Sequence, residues 1–247
     1  MHHALAQLDH RPYPLPAARW TWRQNWHDLL FAHYPIPAPA LRPLVHAGLT
    51  VQEFGGTSWI GVVPFRMTGV MRRSLPDVPW LSAFPELNLR IYVERDGIPG
   101  VWFLSLDATN ALAVWAARRW FHLPYHRATI DFTRADEAFR FRLKRCWSAA
   151  PLTFAADYRP HGEPFTAQPG TLERFLVERY CLYAASPRGD LFRCDVHHHP
   201  WPLRRAEGNV HPDALLRPHG ILIDTTAPHL LFSSGVDVVV WSPVRVG

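Results

Sequence analysis

Prolines are the feature that most constrains the fold of this chain, because 24 of them are spread along its 247 residues. A proline inside an α-helix removes a backbone hydrogen bond and clashes with the preceding turn. Long helices are therefore confined to the gaps between prolines. Most of these gaps hold short segments rich in β-branched and aromatic residues, which are typical of strands. The spacing predicts strands and turns and argues against a helical bundle.

Three segments have apolar residues at helical spacing. The first runs from Thr21, in a capping-box pattern, to the prolines at 35 and 37. The second covers about 109–121, and the third covers about 170–184. These three segments are the predicted helices.

The second predicted helix is the most regular of the three. Its predicted N-cap is Asp107 or Thr109, because short polar side chains accept hydrogen bonds from the first free backbone N–H groups of a helix. Its spacing predicts one buried stripe. The residues of that stripe are Leu112, Trp115, Ala116, Arg119 and Trp120.

The remaining segments predict strands. They cover 49–54, 57–70, 88–94, 100–107, 125–133, 138–146, 152–160, 190–199 and 230–241. Gly55-Gly56 and Asp96-Gly97 lie between consecutive strands and are typical of hairpin turns. So many strands tend to curl into a concave or two-layered sheet, and concavities are where small ligands bind.

Composition narrows the class of protein. Hydrophobic residues make up 48% of the chain and charged residues 19%, which excludes wholesale disorder. No apolar run approaches the ~18 residues of a membrane span, and the N-terminal segment lacks the apolar core of a signal peptide. Cys146, Cys181 and Cys194 are too scattered for a disulfide framework. The sequence predicts a soluble, cytoplasmic protein with no membrane partner.

The positive charge is spread rather than concentrated. The formal net charge is +5, and all 26 basic residues except Lys144 are arginines. Nucleic-acid-binding proteins concentrate such charge on one face. The distribution along the chain therefore argues against nucleic acid as a partner, although a basic surface that contacts nucleic acid stays an alternative.

A series of motifs in a fixed order carries a resemblance to a known family. The motifs are WHDLLFAHYPIP, WIGVVPFRM, LSAFPELNLRIYV, GVWFLSLDA, AARRWFHLPYHRA, LERFLVERYCLYA, HHHPWPL and VDVVVW. From about residue 22 to 241, the chain resembles the YqjF-like family of bacterial proteins of unknown function. That family is similar in fold to acetoacetate decarboxylase, a mostly β protein whose curled sheet encloses a pocket.

The resemblance implies an α+β, mainly antiparallel β fold. The expected architecture is an acetoacetate decarboxylase-like, curled, double-layer sheet with about three helices. We expect a single domain over residues 1–247, in which the first ~20 residues form an extended arm.

The motif that forms the Schiff base in acetoacetate decarboxylase is altered here. The resemblance places Glu86 at the glutamate that follows a proline, and it places Arg118 and Pro124 before the lysine pair. At the lysine pair itself, this sequence has Tyr125 and His126. Because the amine nucleophile is missing, the resemblance implies no acetoacetate decarboxylase activity.

Lys144 is the one lysine that could take over as a nucleophile. It lies in a predicted strand in which Phe139, Phe141 and Leu143 occupy one face and basic residues the other. This alternation predicts a solvated basic face rather than a buried catalytic amine.

Tyr125 and His126 are the first candidate catalytic residues. Adjacent strand residues point to opposite faces, so at most one of the two faces a pocket if both lie in a strand. An imidazole can move a proton on a carbonyl substrate, and a phenol can stabilise a developing oxyanion. The alternative is a structural turn with a buried, hydrogen-bonded tyrosine.

Polar residues share one face of the strand over 88–94 and its N-terminal extension. Glu86, Asn88, Arg90 and Tyr92 have the same parity, which suits either a half-exposed surface or the wall of a wet pocket. A guanidinium on such a wall could hold a substrate carboxylate. The predicted catalytic set is His126, Tyr125 and Glu86, and the predicted substrate-binding set is Arg90, Arg118 and Asn88.

The histidine run is the one candidate metal site. In a strand, His197 and His199 share a face at a spacing that suits two ligands of one metal, and Asp195 has the same parity. Packed or surface histidines beside Trp201 are the alternative. We predict no metal and no cofactor, and we keep His197 and His199 as the metal candidates.

The third predicted helix also carries charge. We interpret Glu178 and Arg179 as a structural pair and Cys181 as a small buried residue.

The sequence thus predicts a pocket for a small organic acid or carbonyl compound. If the protein is an enzyme, the reaction class is acid–base chemistry at a carbonyl without a Schiff-base lysine. A non-catalytic ligand-binding protein is the main alternative. Enzyme activity and homo-oligomer formation stay open.

Overall fold

Strands dominate the computed structural model, which describes residues 2–73, 75, 82–147, 152–223 and 227–247. The strands are β1 (Trp22–Ile36), β2 (Thr50–Val51), β3 (Glu53–Phe54), β4 (Thr57–Arg72), β5 (Phe84–Arg95), β6 (Ile98–Ala108), β7 (Tyr125–Ala135), β8 (Ala138–Arg145), β9 (Thr153–Phe165), β10 (Cys181–Ala185), β11 (Leu191–His198), β12 (Leu203–His211), β13 (His229–Val240) and β14 (Val244–Arg245). The α-helices in this part of the chain are α1 (Ala38–Leu41), α2 (Ala111–Trp120), α3 (Leu172–Val177) and α4 (Asp213–Leu216). None of these helices combines the length and the apolar character needed to cross a membrane.

Hydrogen bonds join the strands into two closed rings that share five strands. The first ring runs β1–β4–β5–β6–β7–β8–β9–β12–β13 and returns to β1. The second runs β1–β4–β5–β6–β10–β11–β13 and also returns to β1. The rings separate because one edge of β6 pairs with both β7 and β10, and one edge of β13 pairs with both β12 and β11. Most pairings are antiparallel, and only β6–β7 and β6–β10 are parallel among the described strands.

The shared strands present one face to each ring, because successive side chains of a strand point to opposite faces. In β1, Leu30 and Ala32 pack into the core of the first ring, whereas Leu29 and Phe31 pack into the core of the second. We call these the first core and the second core. The same alternation in β5 places Leu87 and its same-parity neighbours in the first core. The opposite face of β5 is therefore turned toward the second core.

The two predicted hairpins are confirmed. Gly55-Gly56 joins β3 to β4, and Asp96-Gly97 joins β5 to β6. All four residues have positive φ, as a tight two-residue hairpin turn requires.

The predicted first helix is wrong, because residues 22–36 form β1 between β4 and β13. Its capping-box pattern and apolar spacing suit a helix, but Leu29 to Ala32 are buried on both faces of a shared strand. A short apolar run fits a helix and a doubly buried strand equally well. Pairing with two distant strands decides the outcome.

The predicted third helix is much shorter than expected. Thr171 caps it as predicted, but α3 ends at Val177. The chain then enters β10, which pairs with β6 and β11. β12, which closes the first ring between β9 and β13, was not among the predicted strands.

The second predicted helix is confirmed as α2, with corrections to its cap and its buried face. Asn110, not Asp107 or Thr109, is the N-cap, and its side chain accepts from the N–H groups of Leu112 and Ala113. The predicted buried stripe is wrong, because Leu112, Trp115 and Trp120 are 55%, 56% and 52% exposed. Helical spacing shows which residues share a face, but the packing of the helix decides which face meets the sheet.

The segment before β1 packs along β11. Arg11 is buried and donates to Asp195 at 2.7 Å. His10 donates from Nε2 to the carbonyl oxygen of His198 at 2.8 Å. A carbonyl oxygen can only accept, so the ring nitrogen of His10 is the donor. Together these contacts hold the N-terminal segment against β11.

Candidate ligand-binding cavity

A cavity of about 200 Å³ lies in the second core, between the shared strands and α2. Most of its wall is apolar and aromatic. The large rings on the wall include Trp26, Phe31, Phe65, Phe84, Phe103 and Trp201. Binding sites for small molecules are typically concave and apolar with a few polar groups, and this cavity has that character.

The polar face of β5 lines this cavity. Glu86, Asn88 and Arg90 all contribute to the wall, and all three are buried. The sequence is compatible with this face being either a surface or a pocket wall, and the structure places it on the cavity. Side chains two positions apart on a strand lie about 7 Å apart, so the three groups form a polar row across an otherwise apolar wall.

At one end of this row, Glu86 pairs with Tyr125. The hydroxyl of Tyr125 donates to Oε2 of Glu86 at 2.8 Å. Burial raises the pKa of Glu86 to about 8, although the hydrogen bond from Tyr125 opposes the shift. Burial also raises the pKa of the Tyr125 phenol well above its usual value. At neutral pH both groups are therefore mostly protonated, and each has a proton to donate.

At the other end, Arg90 is buried without a carboxylate partner among the described residues. Its Nε donates to the hydroxyl of Tyr92 at 3.2 Å, and its Nη2 donates to the carbonyl oxygen of Leu176 at 3.1 Å. In the described part of the chain, its Nη1 has no hydrogen-bond acceptor.

Arg179 is a second buried arginine that lines the cavity. Its Nε donates to the carbonyl oxygen of Phe175 at 2.7 Å, and its Nη1 donates to Oε1 of Gln52. Burial lowers its pKa to about 10, so the group still carries its charge at neutral pH. Within the described ranges, Arg179 forms no ion pair with a carboxylate, and its Nη2 has no hydrogen-bond acceptor.

Asn88, between the two ends, has an unsatisfied amide. It is 7% exposed, and its buried Oδ1 has no hydrogen-bond partner among the described residues. Buried polar atoms are nearly always hydrogen-bonded. An unpartnered acceptor on a cavity wall is therefore a position at which a ligand donor would be favourable.

His126 and Arg118 do not reach the cavity, and their predicted positions in the site are corrected. Tyr125 and His126 both lie in β7, so their side chains point to opposite faces. Tyr125 faces the cavity, whereas His126 faces Arg145 and Asp107. Burial and the charge of Arg145 lower the pKa of His126. Arg118 is exposed on α2.

Asp107 is a structural anion rather than a helix cap. It is fully buried and accepts from Nε and Nη2 of Arg145 at 2.7 and 2.6 Å. Lys144, beside Arg145, is exposed. The predicted solvated face of β8 is therefore confirmed for Lys144, which lies outside the cavity.

The histidine run contacts the N-terminal arm. Nε2 of His197 donates to the carbonyl oxygen of Gln7 at 3.1 Å, and Nε2 of His199 donates to that of His3 at 3.2 Å. The two rings share a face as predicted, but that face contacts backbone carbonyl groups of the N-terminal segment. In the part of the chain that the structure describes, no group of three potential metal ligands forms.

Two further residues of the wall were not predicted as site residues. His198 lines the cavity, and burial lowers its pKa to about 4, so its ring is neutral at pH 7. The other residue is Arg179.

Arg179 was interpreted as the partner of Glu178, but Glu178 accepts from Tyr180 and from the backbone N–H of Trp201. The chain turns between α3 and β10, so the adjacent side chains of Glu178 and Arg179 have different partners. This turn was not predicted from the sequence. Cys181 is buried as predicted, and burial raises its pKa to about 11.

Comparisons with known proteins agree with this fold. The chain matches the DUF2071 family of uncharacterized conserved proteins over residues 23–237. It is 41% identical to the uncharacterized protein YqjF of Bacillus subtilis (strain 168). The aligned region of 231 residues covers 94% of each chain.

Solved structures place the fold. Acetoacetate decarboxylase from Legionella pneumophila matches with a TM-score of 0.67 and 14% identity, over 97% of this chain and 95% of that one. The enduracididine biosynthesis enzyme MppR complexed with pyruvate matches with a TM-score of 0.65 and 13% identity, over 96% and 93% of the two chains. The predicted acetoacetate decarboxylase-like, mainly β fold is confirmed. The chain belongs to the DUF2071 family, in agreement with the YqjF-like resemblance that its motifs predicted.

Proposed function

We propose that the cavity binds a small organic acid, including one that also carries a carbonyl group. Its carboxylate lies between Arg90 and Arg179. The observation that carries this proposal is the pair of buried arginines that line the cavity, neither paired with a carboxylate among the described residues. A buried charge without a partner is costly. A ligand carboxylate would supply the missing countercharge and accept the free N–H groups in charge-assisted hydrogen bonds.

The Glu86–Tyr125 pair gives the site its proposed chemistry. In a ligand long enough to reach from the arginines to this end of the row, a protonated carboxyl beside a phenol can donate a proton to the ligand carbonyl oxygen, and the resulting carboxylate can accept one from the carbon next to that carbonyl. Such proton transfer needs no lysine and no covalent intermediate. The fold neighbour MppR was solved with pyruvate, which supports a small 2-oxo acid as the first ligand to test.

Replacement of Arg179 by Gln is expected to weaken pyruvate binding by about 30- to 150-fold. The reason is the loss of charge-assisted hydrogen bonds, which contribute about 2–3 kcal/mol in a buried site. Isothermal titration calorimetry on the full chain measures this directly. Arg142→Gln is the matched control, because Arg142 pairs with Asp157 on the partly exposed face of β8. Equal affinity of wild type and Arg179→Gln would refute the proposed carboxylate site.

A proton-exchange experiment separates an enzyme from a binding protein. In D₂O, acid–base chemistry at the carbonyl is expected to exchange the protons next to the ketone of 5-oxohexanoate, whose chain separates the ketone from the carboxylate, faster with wild type than with Glu86→Gln, as followed by NMR. Binding without any protein-dependent exchange would identify a non-catalytic ligand-binding protein.

Borohydride reduction in the presence of pyruvate is expected to leave the protein mass unchanged. Trapping requires an imine on a lysine near the ligand, and Lys144 lies outside the cavity. Mass spectrometry provides the measurement. An adduct on Lys144 would overturn the mechanism without a Schiff base.

A further inference from the structure

We propose that the ligand is an aryl-substituted carboxylic acid, in which a single ring occupies the space between α2 and the aromatic wall of the second core. This inference rests on the proposed function, because Arg90 and Arg179 hold the carboxylate end. It adds the chemical class of the rest of the molecule.

The first observation is the orientation of α2. Ala113, Ala116 and Ala117 face the cavity, whereas the large apolar residues Leu112 and Trp115 are more than half exposed. A surface helix normally turns its large apolar residues inward, because their burial is favourable. Val114 is the buried residue of the helix and packs in the second core, and Trp120 also lines the cavity. The other inward positions carry only alanine, so the space beside them is left open.

The second observation is a cluster of aromatic rings on the cavity wall. The rings of Trp26 and Trp201 stack with centroids 6.0 Å apart, and Phe31 meets Trp201 edge to face at 5.1 Å. All three rings line the cavity. Aromatic rings pair favourably in offset and edge-to-face geometries, so a ligand ring would find partners on this wall. An acid as small as pyruvate would leave most of it uncovered.

The third observation is the size of the cavity. An engineered apolar cavity of about 150 Å³ in another protein binds benzene. The cavity here measures about 200 Å³, which is room for one ring and a short chain. A ring attached to a carboxylate through two or three carbons therefore fits the volume.

Three probes separate the parts of the ligand. They are 3-phenylpropionate, which has ring and carboxylate; propionate, which has only the carboxylate; and 3-phenylpropan-1-ol, which has the ring without the charge. By calorimetry on the full chain, we expect 3-phenylpropionate to bind at least 30-fold more tightly than either of the others. If propionate binds as tightly as 3-phenylpropionate, the aryl proposal fails while the carboxylate site stands. If the alcohol binds as tightly as the acid, the ring site stands while the role of the arginines fails. If none of the three binds, both proposals fail.

A variant of α2 tests where the ring lies. Ala117→Leu fills the space beneath the helix with a good helix former and is expected to weaken 3-phenylpropionate at least tenfold, with propionate unchanged. Ala111→Leu, on an exposed position of the same helix, is expected to change neither. Ala113→Leu is the second filling variant if Ala117→Leu fails to fold. Unchanged 3-phenylpropionate binding in a folded filling variant would overturn the placement of the ring.

Discussion

The Glu86→Gln variant is expected to lose much less stability than wild type between pH 5 and pH 8.5. Burial holds the pKa of Glu86 at about 8 in the folded protein, against an ordinary value of 4.5. In this interval the unfolded chain releases the Glu86 proton while the folded chain keeps it. Rising pH therefore favours unfolding, and the stability that the protonated carboxyl contributes below pH 4.5 is lost by about pH 8. The shift corresponds to about 4–5 kcal/mol.

Urea unfolding of both proteins at several pH values measures this difference. Glutamine keeps an acceptor for the Tyr125 hydroxyl and cannot ionise, so the subtraction isolates Glu86 from the buried histidines that also titrate. Glu53→Gln in β3 is the matched control, because Glu53 is exposed, and it is expected to follow wild type. Parallel pH profiles for wild type and Glu86→Gln would contradict a buried, protonated Glu86.

Replacement of Arg145 by Met is expected to destabilise the protein by about 3–5 kcal/mol. The change leaves the Asp107 carboxylate fully buried without its partner, and an uncompensated buried charge is strongly destabilising. The pair also links β6 to β8 across β7, beside the point where β6 divides its edge between two strands. Urea unfolding at pH 7 measures the loss.

Two further variants serve as controls for the Arg145→Met measurement. Arg142→Met breaks an ion pair whose side chains are 37% and 47% exposed and is expected to cost less than about 1 kcal/mol. The double variant Asp107→Leu/Arg145→Met removes both charges and is expected to recover much of the loss. A single variant as stable as wild type would show that this pair does not hold the strands together.

The sequence predicted those elements whose cause is local. Gly55-Gly56 and Asp96-Gly97 form their turns because the required positive φ values are a property of those residues. The alternation in β5 predicted that Glu86, Asn88 and Arg90 share a face, because the parity of a strand does not depend on its neighbours. The replacement of the lysine pair by Tyr125 and His126 is likewise a property of the sequence alone.

Other features could not be read from the sequence because distant residues decide them. The run from Leu29 to Ala32 fits a helix as well as a strand, and β1 forms because β4 and β13 pair with it. The orientation of α2 depends on its packing against β6 and β7, which are formed by other parts of the chain. Arg179 becomes part of the site only because the turn after α3 separates it from Glu178.

Local chain chemistry therefore determined the turns, the strand parity and the candidate polar row of β5. The tertiary structure decided which face of that row is enclosed, that Tyr125 rather than His126 meets it, and that Arg179 joins Arg90 there. The physical reason is that burial and charge pairing depend on strand contacts between residues far apart in the chain. Local patterns define the faces of an element, whereas packing determines what each face contacts.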